Sequence, residues 1–124
     1  MNMTDKDDPL ECNNLFVYGT LMSGRSRNHV LHGLKFEKAT LPNHRRIEPP
    51  SLGFPFIVRD DANGAKVQGE IYYGASDSLI HQIDRIEGEG SLYHRILVRV
   101  ETESGKQHEA YTYYPSQRLI NSYT

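Results

Sequence analysis

Val67-Gln68-Gly69-Glu70-Ile71-Tyr72-Tyr73, then Gly74-Ala75-Ser76, then Asp77-Ser78-Leu79-Ile80-His81-Gln82-Ile83-Asp84-Arg85-Ile86-Glu87, is the stretch that decides the fold class. Its first seven residues are rich in β-branched and aromatic side chains and read as a strand that Gly74 ends. Ser76 suits a helix N-cap and Asp77 suits the positive end of a helix dipole. Leu79, Ile80, Ile83 and Ile86 then recur at helical spacing as far as Gly88, so one amphipathic helix is expected over 77–87.

Working outward, Leu15-Phe16-Val17-Tyr18 is a short β-prone run cut by Gly19, and residues 27–31 suit one helical turn. Leu34 to Leu41 reads as an exposed strand. Pro42, Pro49, Pro50 and Pro55 remove backbone donors, so 42–55 is expected as surface loop. Phe56-Ile57-Val58, a turn at 60–64 and the strand at 67–73 read as a hairpin. Beyond the helix come a Gly88–Ser91 turn, alternating Ile96, Val98 and Val100, a Ser104-Gly105 turn and a strand from Glu109 to Tyr114, which together predict a second hairpin. The sum is an α+β domain, for which a small barrel with a helix against it is one closed solution.

The 124 residues fit one domain, and with 37% hydrophobic residues they can build one modest core. No apolar run reaches the roughly 20 residues of a bilayer-crossing helix. The acidic opening lacks a signal-peptide core, so a cytoplasmic protein without membrane contact is expected. Fourteen Lys+Arg against 16 Asp+Glu give a net charge of −2, which argues against nucleic acid as partner. The single Cys12 excludes an intrachain disulfide and a thiolate metal site, and it reads as a bystander. Residues 1–13, with Asp5, Asp7, Asp8 and Glu11 and little apolar surface, read as a loose leader ahead of a domain over 14–124. The sequence does not speak to oligomeric state.

One residue breaks the pattern of the helix. On a wheel of about 100° per residue, Ile80, Ile83, Leu79 and Ile86 fall on both sides of Glu87, while Asp77, Ser78, His81, Gln82 and Asp84 fill the opposite arc. Glu87 therefore lies inside the apolar stripe. Partial burial and the negative end of the helix dipole would both raise its pKa, which suits general acid–base work. The bland reading is that Glu87, at the helix end, turns into solvent or pairs with Arg95 or Arg85.

Val17-Tyr18-Gly19-Thr20-Leu21-Met22-Ser23-Gly24, Phe54-Pro55-Phe56-Ile57-Val58, Val67–Tyr73, Ile83-Asp84-Arg85-Ile86-Glu87-Gly88 and Tyr93-His94-Arg95 stand in an order that resembles the gamma-glutamyl cyclotransferase-like superfamily. The resemblance covers about residues 14–115. It implies a six-stranded β-barrel fringed by helices with a cavity at one end. It also implies conversion of a gamma-glutamyl amide into 5-oxoproline and a free amine or amino acid, with neither metal nor cofactor. The glutamate of the family's D-x-x-E-G motif, its catalytic base, falls on Glu87. The loop that grips the glutamyl head falls on Tyr18, Gly19, Thr20 and Leu21. By the same similarity Tyr93 and Tyr113 line the pocket, and Pro55-Phe56 wall it. The partner implied is a small gamma-glutamyl compound.

Other constellations carry less. His29, His32 and His44 could converge on zinc only with help that no nearby acidic residue provides, so no metal site is expected. His44-Arg45-Arg46 is a basic knot with the charge to meet a substrate carboxylate or phosphate, but three positive residues in a proline-bounded loop are usually solvated, and phosphate binding needs more. Ser23, Ser26 and Ser91 lack the context of a nucleophile elbow. The leaving-group side of any pocket is expected from loops at 43–55 and 88–92. The rival to an enzyme is a barrel that binds a small carboxylate-bearing metabolite, or a protein partner, without turning it over. A Glu87 locked to Arg95 or pointing into water would favour that rival.

Overall fold

The computed structural model describes residues 10–19, 21–25, 27–52, 54–62, 64–87 and 92–123. Seven strands and two helices follow in the order β1 (Leu15–Val17), β2 (Lys35–Pro42), β3 (His44–Ile47), β4 (Phe56–Arg59), β5 (Lys66–Tyr73), α1 (Asp77–Glu87), β6 (Tyr93–Thr102), β7 (Gln107–Pro115) and α2 (Gln117–Tyr123). A single 3-10 turn, Asn28–Leu31, lies between β1 and β2. Five strands close a barrel in the order β1-β5-β2-β6-β7, while β3 and β4 form a separate two-stranded sheet. The fold is thus α+β with one barrel strand fewer than the resemblance implied.

The difference traces to pairing. Phe56–Arg59 does not form a hairpin with the strand that follows it. Asn43, at φ 62, turns the chain back between β2 and β3, and asparagine is one of the few residues that tolerates that conformation. Its N–H donates to Ala65 O and its carbonyl accepts from Asp60 N, both at 2.8 Å. Strand β3, expected as loop, holds no proline between Pro42 and Pro49, so its free donors pair antiparallel with β4 from His44↔Arg59 to Ile47↔Phe56. Strand β5 instead pairs along its whole length with β2, from Lys35↔Tyr73 to Pro42↔Lys66.

Strand β1 is covered on both faces, which is why its sequence runs apolar without alternation. Leu15 and Val17 join the cluster that includes Ile80 and Ile83 of α1 and Leu119 of α2. Phe16 and Tyr18 join a second cluster that draws on all five barrel strands through Ala39, Ile71, Val100 and Ala110. Ile80 and Ile83 are wholly buried, each stabilising the helix against the sheet by roughly 2–3 kcal/mol. Ser76 Oγ caps α1 by accepting from Leu79 N at 3.1 Å. Ser116 Oγ caps α2, a helix the sequence reading did not place, by accepting from Leu119 N at 3.2 Å.

The parallel pairing Leu15↔Tyr111 closes the barrel, and Thr112 Oγ1 reinforces it by donating to Phe16 O at 2.9 Å. Gly69 permits this tight closure. A Cβ there would collide with the Val17 carbonyl and stand 2.6 Å from Phe16 Cζ. Residues 10–13, expected to belong to a loose leader, are tied to the body. Asn13 Nδ2 donates to Ala75 O at 2.6 Å, Ala75 N donates to Asn13 O at 2.9 Å, and Glu11 N donates to the Tyr111 hydroxyl at 3.1 Å. Residues 1–9 and the Gly88–Ser91 turn lie outside the described residues. Among the described residues, no helix is long and apolar enough to cross a membrane.

Candidate active site

Because β1 and β7 run parallel while β6 runs against β7, the end of β1, the end of β7 and the start of β6 meet at one end of the barrel. A cavity of about 260 Å³ opens there, walled by Tyr18 and Gly19 after β1, Tyr93 of β6, Tyr113 of β7 and Pro55 before β4, with Glu87 at the last turn of α1. Leu21 and Arg27, from the segment between β1 and β2, also line it. Of the residues picked out from the sequence, Tyr18, Gly19, Leu21, Glu87, Tyr93 and Tyr113 are brought together, and Thr20 lies outside the described residues.

Phe56 is not part of the wall. Pro55, just ahead of β4, lines the cavity, while Phe56 is wholly buried in the core. Arg27 and Phe54 are wall residues that escaped the sequence reading, as are Phe16, Val17 and Ile86. Arg27 looked like the start of a helical turn, and Phe54 lay within a proline-rich loop. The one available signal was position: Arg27 follows the Tyr18–Leu21 stretch closely in the same segment.

The hydroxyls of the three wall tyrosines are all committed to acceptors in the protein. Tyr18 donates to Tyr113 O at 2.5 Å, Tyr93 to Pro55 O at 3.0 Å and Tyr113 to Asp84 Oδ1 at 2.7 Å. Burial, with the Glu87 carboxylate nearby, pushes the pKa of all three upward. They are therefore neutral near pH 7 and cannot serve as bases.

Glu87 is the group left to titrate. Burial raises its carboxyl pKa, and the guanidinium of Arg27 opposes the rise. Arg95, the cation considered as its partner, is engaged elsewhere. Its Nη1 donates to Asp84 Oδ2 at 3.1 Å, and its guanidinium lies over the Tyr111 ring at 4.6 Å from the centroid. Among the described residues, no hydrogen bond or ion pair holds the Glu87 carboxylate. The His44-Arg45-Arg46 knot, expected to be solvated, splits by strand alternation. His44 is buried with Nδ1 2.9 Å from Pro42 O. Arg46 turns in to donate through Nη2 to Tyr18 O.

A small closed barrel thus carries a partly buried carboxylate and a guanidinium on the wall of one cavity, an arrangement suited to acid–base chemistry on a small ligand. Residues 15–123 match the family model described as "Gamma-glutamyl cyclotransferase, AIG2-like", and the chain belongs to that family. It is similar to "Gamma-glutamylaminecyclotransferase A" of Danio rerio, 31% identical over 114 residues that span 85% of this chain and 70% of the relative. "Gamma-glutamylaminecyclotransferase" of Homo sapiens is 30% identical over 94 residues, 70% of this chain and 61% of that one. The crystal structure of an AIG2-like protein from Mus musculus shares the fold at a TM-score of 0.72 with 20% identity, covering 88% of this chain and 82% of that one.

Proposed function

We propose that this protein is a cytoplasmic enzyme that converts a gamma-glutamyl amine or gamma-glutamyl amino acid into 5-oxoproline and the free amine, with Glu87 as general acid and base. The observation that carries this reading is the Glu87 carboxylate. It is desolvated, held by no described donor, and set in a cavity wall shared with Arg27. Family membership and the printed names of the relatives support it.

The chemistry needs little more. Glu87 takes a proton from the substrate's α-ammonium, and the freed nitrogen attacks the γ-carbonyl of the same molecule. The ring C–N bond forms, the proton held on Glu87 passes to the departing nitrogen and the exocyclic C–N bond breaks. The second proton, shed by the ring nitrogen, passes through Glu87 to the freed amine, which leaves as its ammonium. Atoms and charge balance without water or a co-substrate. The tethered nucleophile supplies high effective molarity, which replaces a catalytic serine or metal. Arg27 is placed to meet the α-carboxylate of the glutamyl head. By the family resemblance, backbone amides of the Tyr18–Leu21 stretch would meet the carboxylate or the developing oxyanion.

The test is 5-oxoproline release from a panel of gamma-glutamyl compounds by the parent and by Glu87→Gln, which keeps the shape and removes the base. Release should fall by a hundredfold or more in the variant. Unimpaired release by Glu87→Gln would refute the mechanism. Silence of the parent across the panel would replace the enzyme by a binding module.

A further inference from the structure

A second cavity, of about 280 Å³, adjoins the first and shares Gly19, Phe54 and Pro55 with it. Its remaining walls are Arg25, Arg46, Glu48, Pro49 and Pro50. We propose that this cavity seats the departing half of the substrate and selects leaving amines that carry a carboxylate. The inference rests on the cyclotransferase reading of the first cavity.

The shared wall sets the connection. An amide whose glutamyl half occupies the first cavity carries its other half past Gly19 and Pro55 into the second. At that shared wall Gly19 carries no side chain, and a Cβ there would stand 3.4 Å from Pro55 Cγ and fill the space between them.

The charges set the selectivity. Two guanidiniums against one carboxylate leave the cavity with one net positive charge. Arg46 is held in place by the Tyr18 carbonyl, and its Nε lies 2.6 Å from Glu48 Oε1. Its charge is therefore largely balanced, and it serves as a fixed wall. Among the described residues, the Arg25 side chain makes no hydrogen bond or ion pair, so its fork of donors is available. A guanidinium fork matches carboxylate geometry. Pro49 and Pro50 stiffen the facing side and reduce the ordering that binding would require.

The experiment compares γ-glutamylglycine with γ-glutamylglycinamide, in which a neutral carboxamide replaces the leaving group's carboxylate at nearly the same size. Each is assayed for 5-oxoproline release and, by calorimetry, for binding to the parent and to Arg25→Gln, Arg25→Glu and Arg45→Gln. The parent should prefer the carboxylate by about tenfold or more, as expected for a hydrogen-bonded charge pair. The preference should vanish in Arg25→Gln, invert in Arg25→Glu and persist in Arg45→Gln, whose exposed side chain pairs with Asp60 outside this cavity. A parent that treats the two compounds alike, or an Arg25→Gln variant that keeps the preference, overturns the proposal. If neither compound yields 5-oxoproline, the full gamma-glutamyl panel decides the catalytic reading. The binding preference still decides the subsite: an Arg25-dependent preference supports it, and equal binding overturns it.

Discussion

Glu70 has no part in the proposed chemistry, yet its removal should disturb the site by a calculable amount. It is 5% exposed in the middle of β5 and accepts three hydrogen bonds. Oε1 takes Ser23 N at 2.7 Å and the Tyr72 hydroxyl at 3.1 Å, and Oε2 takes Ser23 Oγ at 2.5 Å. The Tyr72 hydroxyl in turn accepts from Asn28 Nδ2 at 2.8 Å, which also donates to Leu21 O at 2.9 Å. One buried carboxylate thus pins the segment that carries Leu21, Arg25 and Arg27 to both cavities. In Glu70→Gln the amide oxygen replaces Oε1 and the amide nitrogen donates to Ser23 Oγ, so only the charge assistance goes. The loss, partly offset by relief of a buried charge, should be about 1–2 kcal/mol. Glu70→Ala strands the Ser23 N–H and leaves a void, for about 3–5 kcal/mol. At roughly 4 °C per kcal/mol for a chain of this size, the midpoints should fall by about 6 °C and about 16 °C. Thermal melts read the two losses, and amide exchange at Ser23 should accelerate only in the alanine variant. Equal losses in the two variants, or an alanine variant within about 1 kcal/mol of the parent, would refute the pinning argument.

Three further outcomes are expected. The pH profile of kcat/KM should have an acid limb set by Glu87, above the ordinary carboxylate range. Arg27→Gln should move that limb to higher pH because it removes the charge that opposes the rise; an unmoved limb would contradict the pairing. A carboxyl whose folded pKa is raised lends stability only while protonated, and that contribution is lost as pH rises through the folded pKa. Glu87→Gln should therefore raise the melting temperature at pH 7 and lose that advantage in acid, and calorimetry at the two pH values checks the sign. Gly69→Ala, facing the Val17 carbonyl and the Phe16 ring, should cost about 2–3 kcal/mol in urea denaturation.

What the sequence revealed depended on whether the deciding contacts were local. Helix α1 carried its own cap at Ser76 and its own apolar stripe, and the expected span 77–87 matches Asp77–Glu87. The β6–β7 hairpin was legible from alternation and from Gly105, whose φ of 86 fits the turn. The partner of β4 was not legible. Phe56-Ile57-Val58 is apolar on both faces, and the Asn43 reversal that brings β3 to it lies in a stretch dominated by prolines. Helix α2 is only seven residues long and offered too few turns for a periodic signal. In the site, Glu87 stood out because a carboxylate inside an apolar stripe breaks a local rule. Arg25, Arg27 and Arg46 broke none, since arginines in loops and on short strands are ordinary surface until the fold turns them toward a cavity.

In the proposed mechanism, the two carboxylates at the end of α1 divide their roles. Asp84 and Glu87 lie three residues apart, near enough on a helix to compete for the same donors. Asp84 takes both the Arg95 guanidinium and the Tyr113 hydroxyl. Tyr93 and Tyr18 spend their protons on the carbonyls of Pro55 and Tyr113. Among the described residues, these tyrosine hydroxyls and Arg95 Nη1 are therefore committed elsewhere, and Arg27 is the charge set against the rise. Had Arg95 reached Glu87, the carboxylate would be an ordinary ion pair with a depressed pKa and little use for an ammonium proton. The Asp84 clamp does more than secure a strand to a helix. By holding Arg95 and Tyr113 away, it leaves the Glu87 carboxylate for the ligand that enters the cavity.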